Sequence, residues 1–150
     1  MKLKDIKQSN RPLIVENDFI VTTYDIDIAG HLNNVVYVRW LEDLRRIFFD
    51  EHYPVKNLLS LNLYPVIAST NIKYKRQIKL FDKPKGFMWL EKIDRIILKL
   101  KAEFTVNGSV AAFAEQKCVI YNLETSQIVK PPEIIFHTFI QETNVKNVFM

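Results

Sequence analysis

The sequence predicts an α+β domain in which one long helix is buried against one face of an antiparallel sheet. Three observations predict it. Apolar residues Val36, Tyr37, Trp40, Leu41, Leu44, Ile47 and Phe48 recur at helical spacing. Apolar alternation from Ile96 to Val106 leads into Asn107-Gly108, the pair that most strongly marks a two-residue hairpin turn, and an apolar-rich segment returns after it. The chain has 150 residues, 48% hydrophobic and 25% charged, which is the size and composition of one domain with a sizeable core, so residues 1–150 are expected to form a single domain. A helix with one apolar stripe must bury it against another layer, and here that layer is the sheet.

In chain order, Met1–Asn10 is polar and basic and lacks the apolar stretch of a signal peptide. No run approaches the length of a membrane span, so a soluble cytoplasmic protein is expected. Residues 18–24, "DFIVTTY", are β-branched and aromatic and read as a first strand. A polar elbow follows, and the helix runs from about Asn34 to about Asp50. A loop is expected around Pro54–Leu63. Residues 71–80, "NIKYKRQIKL", then alternate, with Ile72, Tyr74, Ile78 and Leu80 on one face and Lys73, Lys75, Gln77 and Lys79 on the other, which predicts a strand with a basic face. "FDKPKG" supplies a turn. Alternation resumes through Ile96, Leu98, Leu100, Ala102, Phe104 and Val106, and "SVAAFAEQKCVIYN" returns as the partner strand. Pro131 and Pro132 open a short amphipathic helix over Glu133–Ile140.

One cysteine, Cys118, excludes an intrachain disulfide and agrees with a reducing compartment. Asn107-Gly108-Ser109 matches a glycosylation acceptor and reads better as the hairpin turn. No histidine, cysteine and carboxylate cluster has metal-ligand spacing, so neither a metal nor another cofactor is expected. His52 and His137 stand alone and are expected to be solvated or satisfied locally. The net charge of +4 favours an anionic partner of any class.

The chemistry concentrates in "YDIDIAGHLNN", residues 24–34, which holds two aspartates, a glycine, a histidine and two asparagines immediately before the helix. A helix N-terminus offers unpaired backbone N–H groups and the positive end of the macrodipole, which stabilise a developing oxyanion. Asn33 or Asn34 is a natural cap. Gly30 lets the chain turn sharply and brings Asp25 and Asp27 back towards the helix start. A carboxylate there can act as general base on water or as nucleophile on a polarised carbonyl. The plainer reading of aspartates before a helix is turn and cap.

Tyr24-Asp25-Ile26-Asp27-Ile28-Ala29-Gly30-His31-Leu32-Asn33-Asn34, followed by Tyr37, Trp40 and Glu42, resembles the Y-x-D-x-D-x-x-G-H-V-N-N-x-x-Y-x-x-W-x-E signature of hot-dog-fold thioesterases. The resemblance is to the 4-hydroxybenzoyl-CoA thioesterase-like acyl-CoA hydrolases, over roughly residues 15–125. It implies the hot-dog fold, a long helix wrapped by an antiparallel sheet. It also implies acyl-CoA thioester hydrolysis without cofactor, with Asp27 as the catalytic carboxylate and the backbone N–H near Asn34 polarising the carbonyl. Asp25 is then structural. His31 aligns with a histidine given a catalytic or site-organising role in plant acyl-ACP thioesterases, although those carry an asparagine where this chain has Ala29. A second group of hot-dog thioesterases places its carboxylate inside the helix after an H-G-G-type pattern; that pattern is absent, so Glu42 and Asp43 rank below Asp27. Glu42 reads as an ion-pair partner of Arg45 or Arg46.

Gly30, Asn33 and Tyr37 join the expected substrate contacts, Tyr37 and Trp40 being core or cavity wall. The basic cluster Lys73, Lys75, Arg76, Lys79, Lys83 and Lys85, interleaved with Tyr74, Phe81 and Phe87, has three readings: a solvated face, a nucleic-acid surface, or a contact for the phosphates of coenzyme A. The resemblance favours acyl-CoA over nucleic acid, with Lys73, Lys75 and Lys79 as the contacts. An acyl-ACP thioesterase, a catalytically silent acyl-CoA-binding protein and a basic nucleic-acid-binding domain remain the alternatives. Hot-dog domains pair across a two-fold axis, which implies a homodimer or homotetramer.

Overall fold

The computed structural model describes residues 11–148. Its elements are β1 (Val15–Asp18), a 3-10 turn (Thr23–Asp25), α1 (Asn34–His52), α2 (Val55–Ser60), β2 (Leu63–Tyr74), β3 (Lys85–Asp94), β4 (Ile97–Val106), β5 (Ser109–Asn122), β6 (Gln127–Val129) and α3 (Glu133–Val148). The sheet has the order β1-β3-β4-β5-β2, with β6 also pairing β5, and every pairing is antiparallel. Helix α1 lies against its concave face, the hot-dog arrangement.

The core explains the arrangement. Leu41, Leu44 and Phe48 of α1 are fully buried, as are Met88 and Leu90 of β3, Leu98, Leu100 and Phe104 of β4, and Cys118 and Ile120 of β5. Burying each large apolar side chain contributes about 1.5–3 kcal/mol. Phe19 stacks on Trp40 with centroids 4.6 Å apart, and Tyr37 meets Phe104 at 5.6 Å. The helix approaches closely because position 86 is glycine. A Cβ there would stand 2.6 Å from Phe19 Cε2 and 3.0 Å from Leu44 Cδ1. Cys118 is buried, and burial pushes its thiol up to about 12.

The helix start and the Asn107-Gly108 hairpin stand where the sequence predicts them, with φ of 52° and 76° at the two turn residues. Other boundaries differ. The first strand is Val15–Asp18, not 18–24, because Phe19 and Val21 reach the core from irregular backbone and Thr22–Asp25 forms a turn. The expected loop at 54–63 contains α2. The basic strand begins at Leu63 and ends at Tyr74, where the Lys75 and Arg76 amides both donate to the Ala111 carbonyl. Gln77, Ile78, Lys79 and Leu80 therefore lie outside it, and Ile78 is buried beneath the elbow, its carbonyl accepting the Leu32 N–H at 2.7 Å. A full strand, β3, precedes the alternation that begins at Ile96, and β6 is an added edge pairing. Helix α3 continues beyond Ile140 to Val148. His52 is packed against Phe48, and its buried Nε2 has no hydrogen-bond partner among the described residues, so the expected local satisfaction fails there.

Candidate active site

Residues 26–32 form a miniature hairpin leading into α1. Ile26 and Leu32 pair across it, the Asp27 N–H donates to the His31 carbonyl at 2.8 Å, and the Gly30 N–H donates to the Asp27 carbonyl at 3.0 Å. The turn closes because Gly30 takes φ +81°, a left-handed conformation that glycine adopts without steric cost. Asp27 opens this turn. Its Oδ1 accepts the Ala29 N–H at 2.9 Å and the His31 N–H at 3.0 Å, fixing the carboxylate on its own loop. Its Oδ2 has no hydrogen bond among the described residues, and the residue is exposed.

The base of the hairpin is locked differently. The Asn33 N–H donates to the Asp25 carbonyl at 2.8 Å, and the Asp25 side chain is buried. Its Oδ2 accepts the Thr22 N–H at 3.0 Å and the Thr22 hydroxyl at 2.8 Å; its Oδ1 accepts Arg39 Nη2 at 2.7 Å. Burial raises the pKa of this carboxyl, but the Thr22 and Arg39 bonds outweigh it and hold the group below its ordinary value. Asn33 is the N-cap, accepting from the Val35 N–H at a long 3.5 Å, and Asn34 begins the helix, where the first amides have no intrahelical acceptor.

The predicted site residues divide into three groups. Asp27, Gly30, His31, Asn33 and Asn34 belong to the hairpin and helix start, and Tyr37 lies one turn further along α1. Tyr37 is buried against Trp40, Tyr74 and Phe104; burial, with Tyr74 beside it, pushes its hydroxyl up to about 12. Lys79 faces the hairpin, bridged to His31. Lys73 and Lys75 lie apart, on the convex face of the sheet. Lys73 lines a depression there with Arg11, Trp89, Lys101 and Phe113, while Lys75 sits over the Phe113 ring at 5.2 Å and Arg11 over Trp89 at 4.2 Å. Glu42 and Asp43 line a groove of ≈ 600 Å³ between α1 and the start of β2. The expected ion pair of Glu42 does not form among the described residues: Arg46 pairs with Asp50 at 3.8 Å, and Arg45 turns inward to Gln116 at 3.2 Å.

Two residues outside the predicted set stand at the elbow. Arg39 ties Asp25 to α1, and Arg76 joins His31 and Lys79 around one depression. No sequence spacing signals the first, since 14 residues separate Arg39 from Asp25 and only Arg39 lies in the helix. Arg76 was visible as part of the basic cluster.

A sequence profile of the thioesterase-like superfamily matches residues 21–139, reaching past the expected limit of 125 into α3. No curated protein sequence matches the chain. Among solved structures, a DHNA-CoA thioesterase from Staphylococcus aureus is similar at a TM-score of 0.80 and 15% identity, over 91% of this chain and 95% of that one. A hypothetical protein from Staphylococcus aureus in complex with CoA gives 0.78 and 18%, over 88% and 85%. A thioesterase from Thermus thermophilus, complexed with coenzyme A and zinc, gives 0.73 and 25%, over 87% and 94%.

Proposed function

Because the chain belongs to the thioesterase-like superfamily, we propose that it hydrolyses an acyl-CoA thioester to free CoA and a carboxylic acid. Asp27 serves as general base on water or as nucleophile on the carbonyl. The observation that carries this reading is the Asp27 carboxylate itself: exposed, oriented through Oδ1 by two backbone N–H groups, and left with Oδ2 for chemistry. In the general-base route, Oδ2 takes a proton from water as the oxygen adds to the carbonyl carbon. The Asn34 N–H stabilises the oxyanion, and its collapse expels the thiolate, which takes up the proton. An acyl-CoA panel read by release of free thiol tests the activity, and no thiol released from any chain length or aromatic acyl group overturns it.

The active form in this reading is at least a homodimer. Strand β2 is a 12-residue sheet edge, and Ile20, Tyr24, Ile28, Val35 and Val38 are exposed around the elbow, an apolar surface suited to burial by a second copy. Sedimentation at micromolar concentration should find a dimer or tetramer; a monomer alone would count against the proposed assembly.

A further inference from the structure

Resting on the thioesterase reading, we infer that the depression between His31 and Asn107 is a phosphate subsite for the carrier of the acyl group, with Arg76 and Lys79 as its charged ligands. The depression has a volume of ≈ 470 Å³ and is lined by His31, Arg76, Gln77, Lys79, Asp82, Val106 and Asn107. Val106 is the one apolar residue among them, so the lining suits an anion and offers little to an acyl chain.

The fold holds the Arg76 guanidinium and the Lys79 backbone in place. Arg76 Nη2 donates to the Val106 carbonyl at 3.2 Å, while the Arg76 amide is tied to Ala111. Lys79 sits at the start of a tight turn: its N–H donates to Asp82 Oδ2 at 2.8 Å, and the Asp82 N–H returns to the Lys79 carbonyl at 3.1 Å. The turn is closed by Phe81 at φ +76°, a left-handed conformation unusual for an aromatic residue. An antiparallel bridge then joins Lys79 to His31.

The charges are also uncommitted. Neither Arg76 nor Lys79 forms an ion pair among the described residues. The one acid of the lining, Asp82, uses Oδ2 on the Lys79 amide. Two cations against the single Asp82 carboxylate leave this concave surface net positive, and the guanidinium fork suits phosphate oxygens. The hairpin links this site to the proposed reaction, since the His31 N–H donates to Asp27 Oδ1 and His31 also lines the depression. Lys73 and Lys75, on the convex face, have no part in it.

Coenzyme A and a carrier protein's prosthetic arm share the phosphate attached to pantetheine, and CoA adds its nucleotide phosphates. Calorimetric titration with free CoA and with 4′-phosphopantetheine tests the subsite without requiring turnover. In Arg76→Gln/Lys79→Gln, whose exposed side chains leave the core intact, CoA should bind on the order of tenfold more weakly. A parallel loss for 4′-phosphopantetheine assigns the subsite to the shared phosphate, and a loss confined to CoA assigns it to the nucleotide end. Undiminished CoA affinity in this variant overturns the proposal, as does a comparable loss in Lys73→Gln/Lys75→Gln. Thiol release from acyl-CoA by the wild type tests the thioesterase reading separately, so failure of one is distinguishable from failure of the other.

Discussion

Asp25 and Asp27 stand two residues apart, at the base and at the turn of one hairpin, and differ in everything that governs a carboxylate. Asp25 is buried and spends both oxygens on Thr22 and Arg39. Asp27 is exposed and spends one oxygen on its own turn, leaving the other unpaired among the described residues. The same residue type therefore does two kinds of work within a span of three residues. At the base it ties the loop to α1 through Arg39; at the turn it is presented to solvent. Residue identity alone does not assign a role, because the role follows from which oxygens are already occupied.

The largest expected effect breaks the comparison at the turn. Asp27→Asn keeps the shape and the Oδ1 acceptor but removes the base or nucleophile, so kcat should fall on the order of a hundredfold, about 2.7 kcal/mol of transition-state stabilisation. Its melting temperature should stay near that of the wild type. Wild-type turnover in this variant would shift attention to Glu42 and Asp43 in the groove beside β2.

At the base the expected loss is in stability. Asp25→Ala leaves the Thr22 donors and Arg39 without their acceptor, which should cost about 2 kcal/mol; Arg39 is half exposed, so water recovers part of what a fully buried pair would lose. The effect depends on pH in a defined direction. Because the folded state holds the Asp25 carboxyl below its ordinary value, its contribution is complete above the unfolded pKa of about 4 and disappears as pH falls through the lower folded value. Thermal melts of wild type and Asp25→Asn should thus differ at pH 7 and converge in strong acid. A gap that persists at about pH 2, below the usual carboxylate range, would assign the loss to packing.

Sequence patterning made the helix, the β4–β5 hairpin and the elbow legible because each is written in local chemistry: one apolar stripe, one Asn-Gly pair, one cap with its glycine. It failed where contacts distant in sequence decide the outcome. Strand β3 does not alternate cleanly, since Trp89 on its convex side is covered by Arg11 while Met88 and Leu90 face the core, and the run Phe87-Met88-Trp89-Leu90 therefore shows no period of two. The alternation of lysines past Tyr74 looked like continued strand, but the chain turns there to pair with the hairpin at His31 and Leu32. For the same reason Lys73, Lys75 and Lys79, all on the same face of the alternating pattern in sequence, divide between the convex face and the elbow. The different surroundings of the two aspartates were separable in sequence only through the family resemblance, because Arg39 reaches Asp25 from 14 residues away.

The smallest expected effect concerns the residue that allows the two carboxylates to sit so differently. A Cβ at Gly30 would meet no atom within 4 Å, so Gly30→Ala introduces no clash and its cost is the left-handed backbone alone, about 1 kcal/mol. Part of that cost should appear at the turn, because the Ala29 and His31 amides that orient Asp27 flank position 30. A modest drop in melting temperature with a few-fold fall in kcat is expected, while the Asp25–Arg39 clamp stays intact. Asparagine tolerates positive φ better than alanine. Gly30→Asn should therefore recover part of both losses. If asparagine is no better than alanine, backbone conformation is not what position 30 supplies, and exclusion of side-chain bulk from a substrate or a second copy becomes the explanation to test.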